Sequence, residues 1–245
     1  MVCFSCRKEN PVITPCEHSL PGLVCKEYHY LKGDYIGYIQ NGYNTEKQLV
    51  QQDLYPSDHN SVRYIFQYSS KGQILAKKVL NTDGEILEHY DYQYNNFDSL
   101  ASISYFKGNV NQCLTTYEYN SQNNLEAKKS ELHDGSGFHY SYQYDGQRLY
   151  KETIANLRGE LLSFSIYHYY SNGFKRISHY DAGSEFTNSE ILHFTSDGKL
   201  LDIKYYSFDN KLVKKEIWSY EDGLLTKYAL YDADNIETAY NVYQY

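Results

Sequence analysis

The chain has 245 residues, a net charge of −8 and 41% hydrophobic residues, an ordinary composition for a soluble globular protein. Its 31 acidic and 23 basic side chains argue against a general nucleic-acid binder, because such a protein needs clustered cations to neutralise phosphates. The N-terminus lacks the layout of a secretory signal, and no apolar run approaches the roughly 20 residues of a membrane helix. We therefore expect a soluble, cytoplasmic protein without nucleic-acid or membrane partners.

The N-terminal segment 1–27 differs in composition from the rest of the chain. It holds four of the five cysteines, three of the four prolines and no tyrosine, whereas all 30 tyrosines lie from Tyr28 onward. No proline follows Pro56, which suits a continuous sheet because proline removes a ladder donor. We predict an irregular Cys/Pro-rich segment at 1–27 and a single tyrosine-rich β-repeat domain at 28–245.

The four N-terminal cysteines have the ligand type of a structural zinc site. Cys3 and Cys6 have the spacing of a zinc knuckle, whereas Cys16 and Cys25 lie farther apart than a second knuckle wants. The zinc ligands would be Cys3, Cys6, Cys16 and Cys25; reduced thiols and disulfides are the alternatives. No other cofactor is expected.

An aromatic anchor recurs through the rest of the chain at a nearly constant interval of about 25 residues. The anchors are Tyr43, Tyr68, Tyr94, Tyr119, Tyr144, Tyr169, Phe194, Tyr220 and Tyr245. Turn residues such as Asp83-Gly84 and Asp134-Gly135 recur between them, so each repeat holds two strands and two turns. Tyr90, Tyr92 and Tyr94 alternate with polar residues, which predicts one tyrosine-rich and one polar face.

Eight such repeats predict an all-β, antiparallel meander of about 16 strands, preceded by one or two strands at 28–40. Open twisted sheets rarely exceed about ten strands without curling. The sheet is therefore expected to roll into a large barrel, a spiral or a superhelical sheet.

The repeat resembles the YD repeat of bacterial Rhs proteins and of related teneurin and toxin-complex shells. The resemblance is carried by 142–149 (YQYDGQRL) and 117–125 (YEYNSQNNL). The period is longer than is usual in that family, the chain is too short for its enclosing cage, and the sequence has no Asp-Pro pair for self-cleavage. The chain also looks more loosely like MORN-type repeat proteins, some of which resemble antitoxin or immunity proteins.

No catalytic motif is present, and the nine histidines are scattered. We therefore predict a non-catalytic protein-binding repeat protein, an immunity-type inhibitor whose acidic charge would steer it to a basic toxin partner. The alternative is a structural or cell-surface repeat protein, binding carbohydrate through aromatic platforms.

Overall fold

The computed structural model describes residues 22–57 and 60–245, which form 18 β-strands. Their bounds are β1 Lys26–Leu31, β2 Asp34–Tyr43, β3 Leu49–Pro56, β4 Val62–Tyr68, β5 Ile74–Leu80, β6 Ile86–Tyr94, β7 Leu100–Lys107, β8 Val110–Tyr119, β9 Leu125–Leu132, β10 Gly137–Asp145, β11 Arg148–Asn156, β12 Leu161–Tyr169, β13 Phe174–Asp181, β14 Phe186–Phe194, β15 Leu200–Ser207, β16 Leu212–Glu221, β17 Leu224–Asp232 and β18 Glu237–Gln244. The all-β prediction is confirmed. No helix long and apolar enough to cross a membrane occurs in the described part of the chain.

The strands form one closed antiparallel meander. Each strand pairs with the next along the chain, and β1 pairs with both β2 and β18. At this seam Lys26 lies opposite Gln40 on one side and Gln244 on the other. Closure leaves the sheet without an unpaired edge, so the predicted sheet of about 16 strands is a barrel of 18.

Bulges recur at both ends of the hairpins and explain the curvature. At one end the register shifts beside an anchor, for example between Gln93 and Tyr94 and between Gln143 and Tyr144. At the other end of the hairpins the register also shifts, for example between Val79 and Leu80 at the end of β5. Because a bulge bends its strand and increases the local twist, its repetition curls the meander toward closure.

The anchor tyrosines tie neighbouring strands together along one rim, which we call the anchor rim. The hydroxyl of Tyr144 donates to the carbonyl of Leu125, the first residue of β9, at 2.8 Å. Eight of the nine anchors donate to a backbone carbonyl in this way, with lengths of 2.7–3.0 Å. The ninth is Phe194, which has no hydroxyl. The period found in the sequence is therefore the period of these bonds.

Side-chain oxygens close the turns, as the Asn and Asp content predicts. Asn95 Oδ1 accepts hydrogen bonds from the backbone N–H groups of Phe97 and Ser99, at 2.9 and 3.0 Å. Asp98 takes a positive φ of 60° within this turn. These are the roles in which Asn and Asp are favoured over other residues.

The opposite rim, which we call the apolar rim, concentrates the exposed apolar side chains of the described residues. Of 21 exposed large hydrophobic side chains, 13 lie at this rim, six at the anchor rim and two in mid-strand. The apolar-rim residues are Leu31, Tyr35, Ile36, Ile86, Leu87, Val110, Leu132, Phe138, Leu161, Leu162, Phe208, Val213 and Ile236. They belong to seven of the nine hairpins that turn at this rim.

The barrel is hollow. In the described ranges only five apolar residues are buried, namely Cys25, Val50, Ala76, Val79 and Ala229. Cα atoms of the described strands approach within 8 Å only between neighbours in the sheet. Barrels of about 16–18 strands are wide enough to leave an aqueous channel, and the near absence of a packed core agrees with such a channel here.

Candidate functional site in the barrel lumen

Exposure alternates near the anchor end of strands such as β6 and β10 and identifies the luminal face. In β10, Tyr140, Tyr142 and Tyr144 are half-buried, while His139 and Gln143 are exposed. Side chains on the inner face of a closed barrel converge and shield one another, whereas those on the outer face diverge. The row of anchor tyrosines therefore points into the lumen.

Four luminal carboxylates recur on every fifth strand and bind polar side chains of neighbouring strands. They are Glu27 on β1, Glu88 on β6, Glu152 on β11 and Glu216 on β16. Three of them accept hydrogen bonds from tyrosine hydroxyls at 3.0–3.2 Å. The fourth, Glu27, accepts from Asn241 Nδ2 at 2.8 Å.

These pairs shift the pKa values of their members. Burial, together with the neighbouring carboxylate of Glu88, raises the pKa of Tyr90 to about 12. Burial by itself would raise the pKa of Glu216, but hydrogen bonds from Lys214, Tyr205 and Tyr228 outweigh it and lower that pKa. Tyr90 thus stays a protonated donor, while Glu216 stays an ionised acceptor at neutral pH.

Glu216 lies among aromatic side chains of the lumen. Lys214 Nζ lies 3.0 Å from the Glu216 carboxylate and 4.0 Å from the centre of the Tyr205 ring. On the other side, the rings of Trp218 and Tyr228 lie 5.2 Å apart. We call Tyr205, Lys214, Glu216, Trp218 and Tyr228 the Glu216 cluster.

A second polar row crosses β12, β13 and β14 on the same face. The Ser165 hydroxyl lies 2.9 Å from Nδ1 of His179, and His179 Nε2 lies 3.4 Å from the Glu190 carboxylate. Ser165 is only 9% exposed, which restricts access to its hydroxyl. Sequence reasoning missed this group because its members stand far apart along the chain, on three different strands, with a spacing that matches no motif. The absence of catalysis remains a prediction.

The outer face is polar but also carries tyrosines, so the expectation of a single tyrosine-rich face is wrong. Arg63 Nε donates to Asp53 at 2.7 Å on this side. Near the seam, the rings of Tyr30 and Tyr240 stack with centres 4.5 Å apart. Pairing of β1 with β18 brings these two residues together, although they lie at opposite ends of the domain.

The predicted zinc ligands fall largely outside the described residues. Cys3, Cys6 and Cys16 lie there, whereas Cys25 is buried immediately before β1. The Cys25 backbone N–H donates to the carbonyl of Gln244, and its carbonyl accepts from the N–H of Asn41. Within 22–57 and 60–245 there is no group of three or more potential metal ligands. Zinc remains a prediction.

No protein-family model and no curated protein matches the chain. Among solved structures, the chain is similar to a porin-like protein from Bacteroides uniformis, with 12% identity, a TM-score of 0.53, and coverage of 90% of this chain and 97% of that one. A porin-like protein from Bacteroides vulgatus has 9% identity and a TM-score of 0.46, with coverage of 91% and 98%. The first similarity is one of fold.

These findings correct two expectations, a cytoplasmic location and the absence of a membrane partner. A closed antiparallel barrel with an even number of strands, shared with a porin-like protein, is the architecture of outer-membrane proteins. The absence of an apolar run of helical length does not exclude a membrane barrel, because barrel strands need only about ten residues of alternating character. The fold fits a structural or cell-surface protein and gives no support to an inhibitor of a basic toxin.

Proposed function

We propose that the chain is a cell-surface β-barrel that binds carbohydrate in its tyrosine-lined lumen. The observation that carries the proposal is the combination of half-buried tyrosine rings and carboxylates on the inner wall of a hollow barrel. The resemblance to YD repeats agrees with an envelope-associated role but is not needed for the argument.

The chemistry of the Glu216 cluster suits a sugar. A sugar ring has an apolar C–H face that packs on an aromatic ring, and a rim of hydroxyls that donate and accept hydrogen bonds. Trp218 and Tyr228 offer the aromatic surface, and the Glu216 carboxylate offers an ionised acceptor. Tyrosine suits this use because its ring is rigid and amphipathic.

The charges around Glu216 favour a neutral ligand over an ion. The Glu216 carboxylate is paired with Lys214, and the Glu190 carboxylate lies beside His179. An ion-selective lumen needs an excess of one charge at its narrow part. At Glu216 the paired carboxylate and ammonium instead present hydrogen-bonding groups without a strong local field, as an uncharged polyol requires.

Binding can be measured through Trp218, the sole tryptophan of the chain. Titration with maltoheptaose, cellohexaose, chitohexaose and mannohexaose should give a saturable change in tryptophan fluorescence for at least one of them. An uncharged peptide of similar mass serves as the control ligand and should give none.

Two adjacent residues provide matched variants. Tyr205 faces the lumen beside Glu216, whereas Tyr206, the next residue on β15, points to the outer face. Tyr205→Ala should weaken oligosaccharide binding about tenfold or more, the scale of one lost aromatic contact. Tyr206→Ala should leave it unchanged. Equal effects of the two variants, or no response to any oligosaccharide, would contradict luminal binding.

The cell-surface part of the proposal has its own test. A protease added to intact cells should cleave a site inserted in a turn of the barrel, while a cytoplasmic marker protein stays whole. Protection of the site until the cells are lysed would contradict surface exposure, whatever the outcome of the sugar titration.

A further inference from the structure

We propose that the barrel meets a lipid bilayer end-on, with the apolar rim lying in the headgroup region of a membrane of neutral, zwitterionic lipids. The most exposed apolar side chains of this rim are Phe208, 70% exposed, and Ile236, 61% exposed. Both lie in turns, beyond the ends of the strands, where nothing in the described chain covers them.

The shape of the apolar surface indicates a flat partner. Its side chains come from seven hairpins distributed around the rim, so they form a ring and not a patch on one side. A bilayer surface touches the whole circumference at once, and large exposed apolar surface marks protein or membrane contacts.

The outer wall limits the contact to the rim. Exposed charged side chains such as Arg63, Asp91, Lys129 and Glu131 lie along the outer face of the strands. Lipid-facing charges near the middle of a bilayer are destabilising in β-barrels. Nine of the 18 described strands have only 6–8 residues, below the length of about 9–11 that a spanning strand needs. The observations therefore favour a barrel standing on the bilayer.

The charge of the apolar rim selects the lipid. The described turns of this rim carry seven acidic and three basic side chains. Asp83, Glu85 and Asp209 are among the acidic residues, and Lys32 is among the basic ones. Anionic headgroups would repel this excess, whereas zwitterionic headgroups would not. The same excess disfavours rim-to-rim association of two copies.

Flotation with phosphatidylcholine vesicles tests the proposal. The full-length protein should float with these vesicles, and less of it should float with phosphatidylglycerol vesicles at low salt. Phe208→Ser should lower the partition coefficient about tenfold or more, the scale expected for one exposed aromatic ring. A triple variant, Ile36→Ser with Phe208→Ser and Ile236→Ser, should abolish flotation.

The control is Phe97, which is 83% exposed but lies in a turn of the anchor rim. Phe97→Ser should float like the parent protein. Absence of flotation with phosphatidylcholine, or equal loss in the Phe97 and Phe208 variants, would overturn the proposal. A dimer in sedimentation equilibrium that Phe208→Ser dissociates would instead assign the rim to a second copy and overturn it as well.

The test is independent of sugar binding. The triple variant changes only exposed rim residues, so its Trp218 response to oligosaccharides should equal that of the parent protein. Loss of flotation with an intact response would therefore concern the rim, and loss of the response with intact flotation would concern the lumen.

Discussion

The two rims of the barrel are built from the same hairpin but use it differently. At the anchor rim, tyrosine hydroxyls donate to the backbone of the preceding strand in eight repeats. At the apolar rim, no described tyrosine makes a bond of this kind, and apolar side chains are exposed instead. One end of each hairpin therefore holds the barrel together, and the other end is available for contact.

The comparison also shows where a hollow barrel finds its stability. A barrel with five buried apolar residues in its described part cannot depend on a packed core. A hydrogen bond contributes about 1 kcal/mol net, so each anchor bond is a sizeable fraction of the roughly 5–15 kcal/mol that stabilises a whole domain. We expect the anchor rim to be the more stable of the two.

The largest effect is expected from a glycine at the apolar rim, where strands approach closely without tyrosine bonds. Gly137 has a φ of 157°, and a Cβ atom there would collide with the Ser130 carbonyl oxygen. Gly137→Ala should lower the free energy of unfolding by about 3 kcal/mol, as urea denaturation would measure. Gly135→Asn is the control, because nothing lies within 4 Å of a Cβ there and Asn tolerates its φ of 78°. A stable Gly137 variant would mean that this rim is more adaptable than described.

Removal of one anchor hydroxyl should have a moderate effect. Tyr144→Phe deletes the bond to the Leu125 carbonyl and should lower the free energy of unfolding by about 1 kcal/mol. Tyr140 lies on the same strand and face, and its ring accepts the Lys128 ammonium at 3.7 Å. Because its hydroxyl has no hydrogen-bond partner in the described structure, Tyr140→Phe should change stability little. Equal losses of unfolding free energy in both variants would mean that the hydroxyl bonds of the anchor tyrosines have no special role in stability.

The repeat without an anchor hydroxyl offers the converse experiment. Phe194→Tyr would place a hydroxyl where five of the other anchors bond to the first residue of the preceding odd-numbered strand, here Phe174. A gain of about 0.5–1 kcal/mol is expected in thermal or urea unfolding. A destabilised variant would show that Phe194 occupies a differently built position.

The smallest effect on stability is expected for a residue in the strands between the two rims, and it depends on pH. The pKa of Glu216 is lower in the folded protein than its usual value of 4.5, so ionised Glu216 stabilises the fold above that value. This contribution is lost as the pH falls through the folded-state pKa. Glu216→Gln should therefore lose stability at pH 7 and approach the parent protein in acid. Parallel stability curves for the two proteins from neutral pH into acid would contradict this assignment.

The local architecture was predictable from the sequence because it is periodic. Anchors such as Tyr94 and Tyr119 mark strand ends, and Asp83-Gly84 marks a turn, as the structure confirms. The sequence is compatible with a barrel, a spiral or a superhelical sheet, because the repeat pattern does not indicate which strands the first and last strands of the sheet pair with. The pairing of Lys26 with Gln244 across the seam is a tertiary contact of this kind.

The candidate site was less predictable because it follows a different period. Glu88, Glu152 and Glu216 recur at equal intervals of five strands, which is not a whole number of two-stranded repeats. A search for the tyrosine repeat passes over them. Alternation along a strand also does not indicate which face of the sheet lies inside the barrel. The luminal position of the tyrosines follows only from the exposure of the residues in the closed barrel.

Closure of the meander limits how such a protein changes in length. Strands that alternate in direction meet correctly at the seam only when their number is even. Gain or loss of one whole repeat adds or removes two strands and alters the circumference by about 10 Å. Half a repeat would place the terminal strands parallel and break the ladder that now joins β1 to β18. The diameter of the barrel can therefore change only in steps, and duplication of one repeat enlarges it by one step.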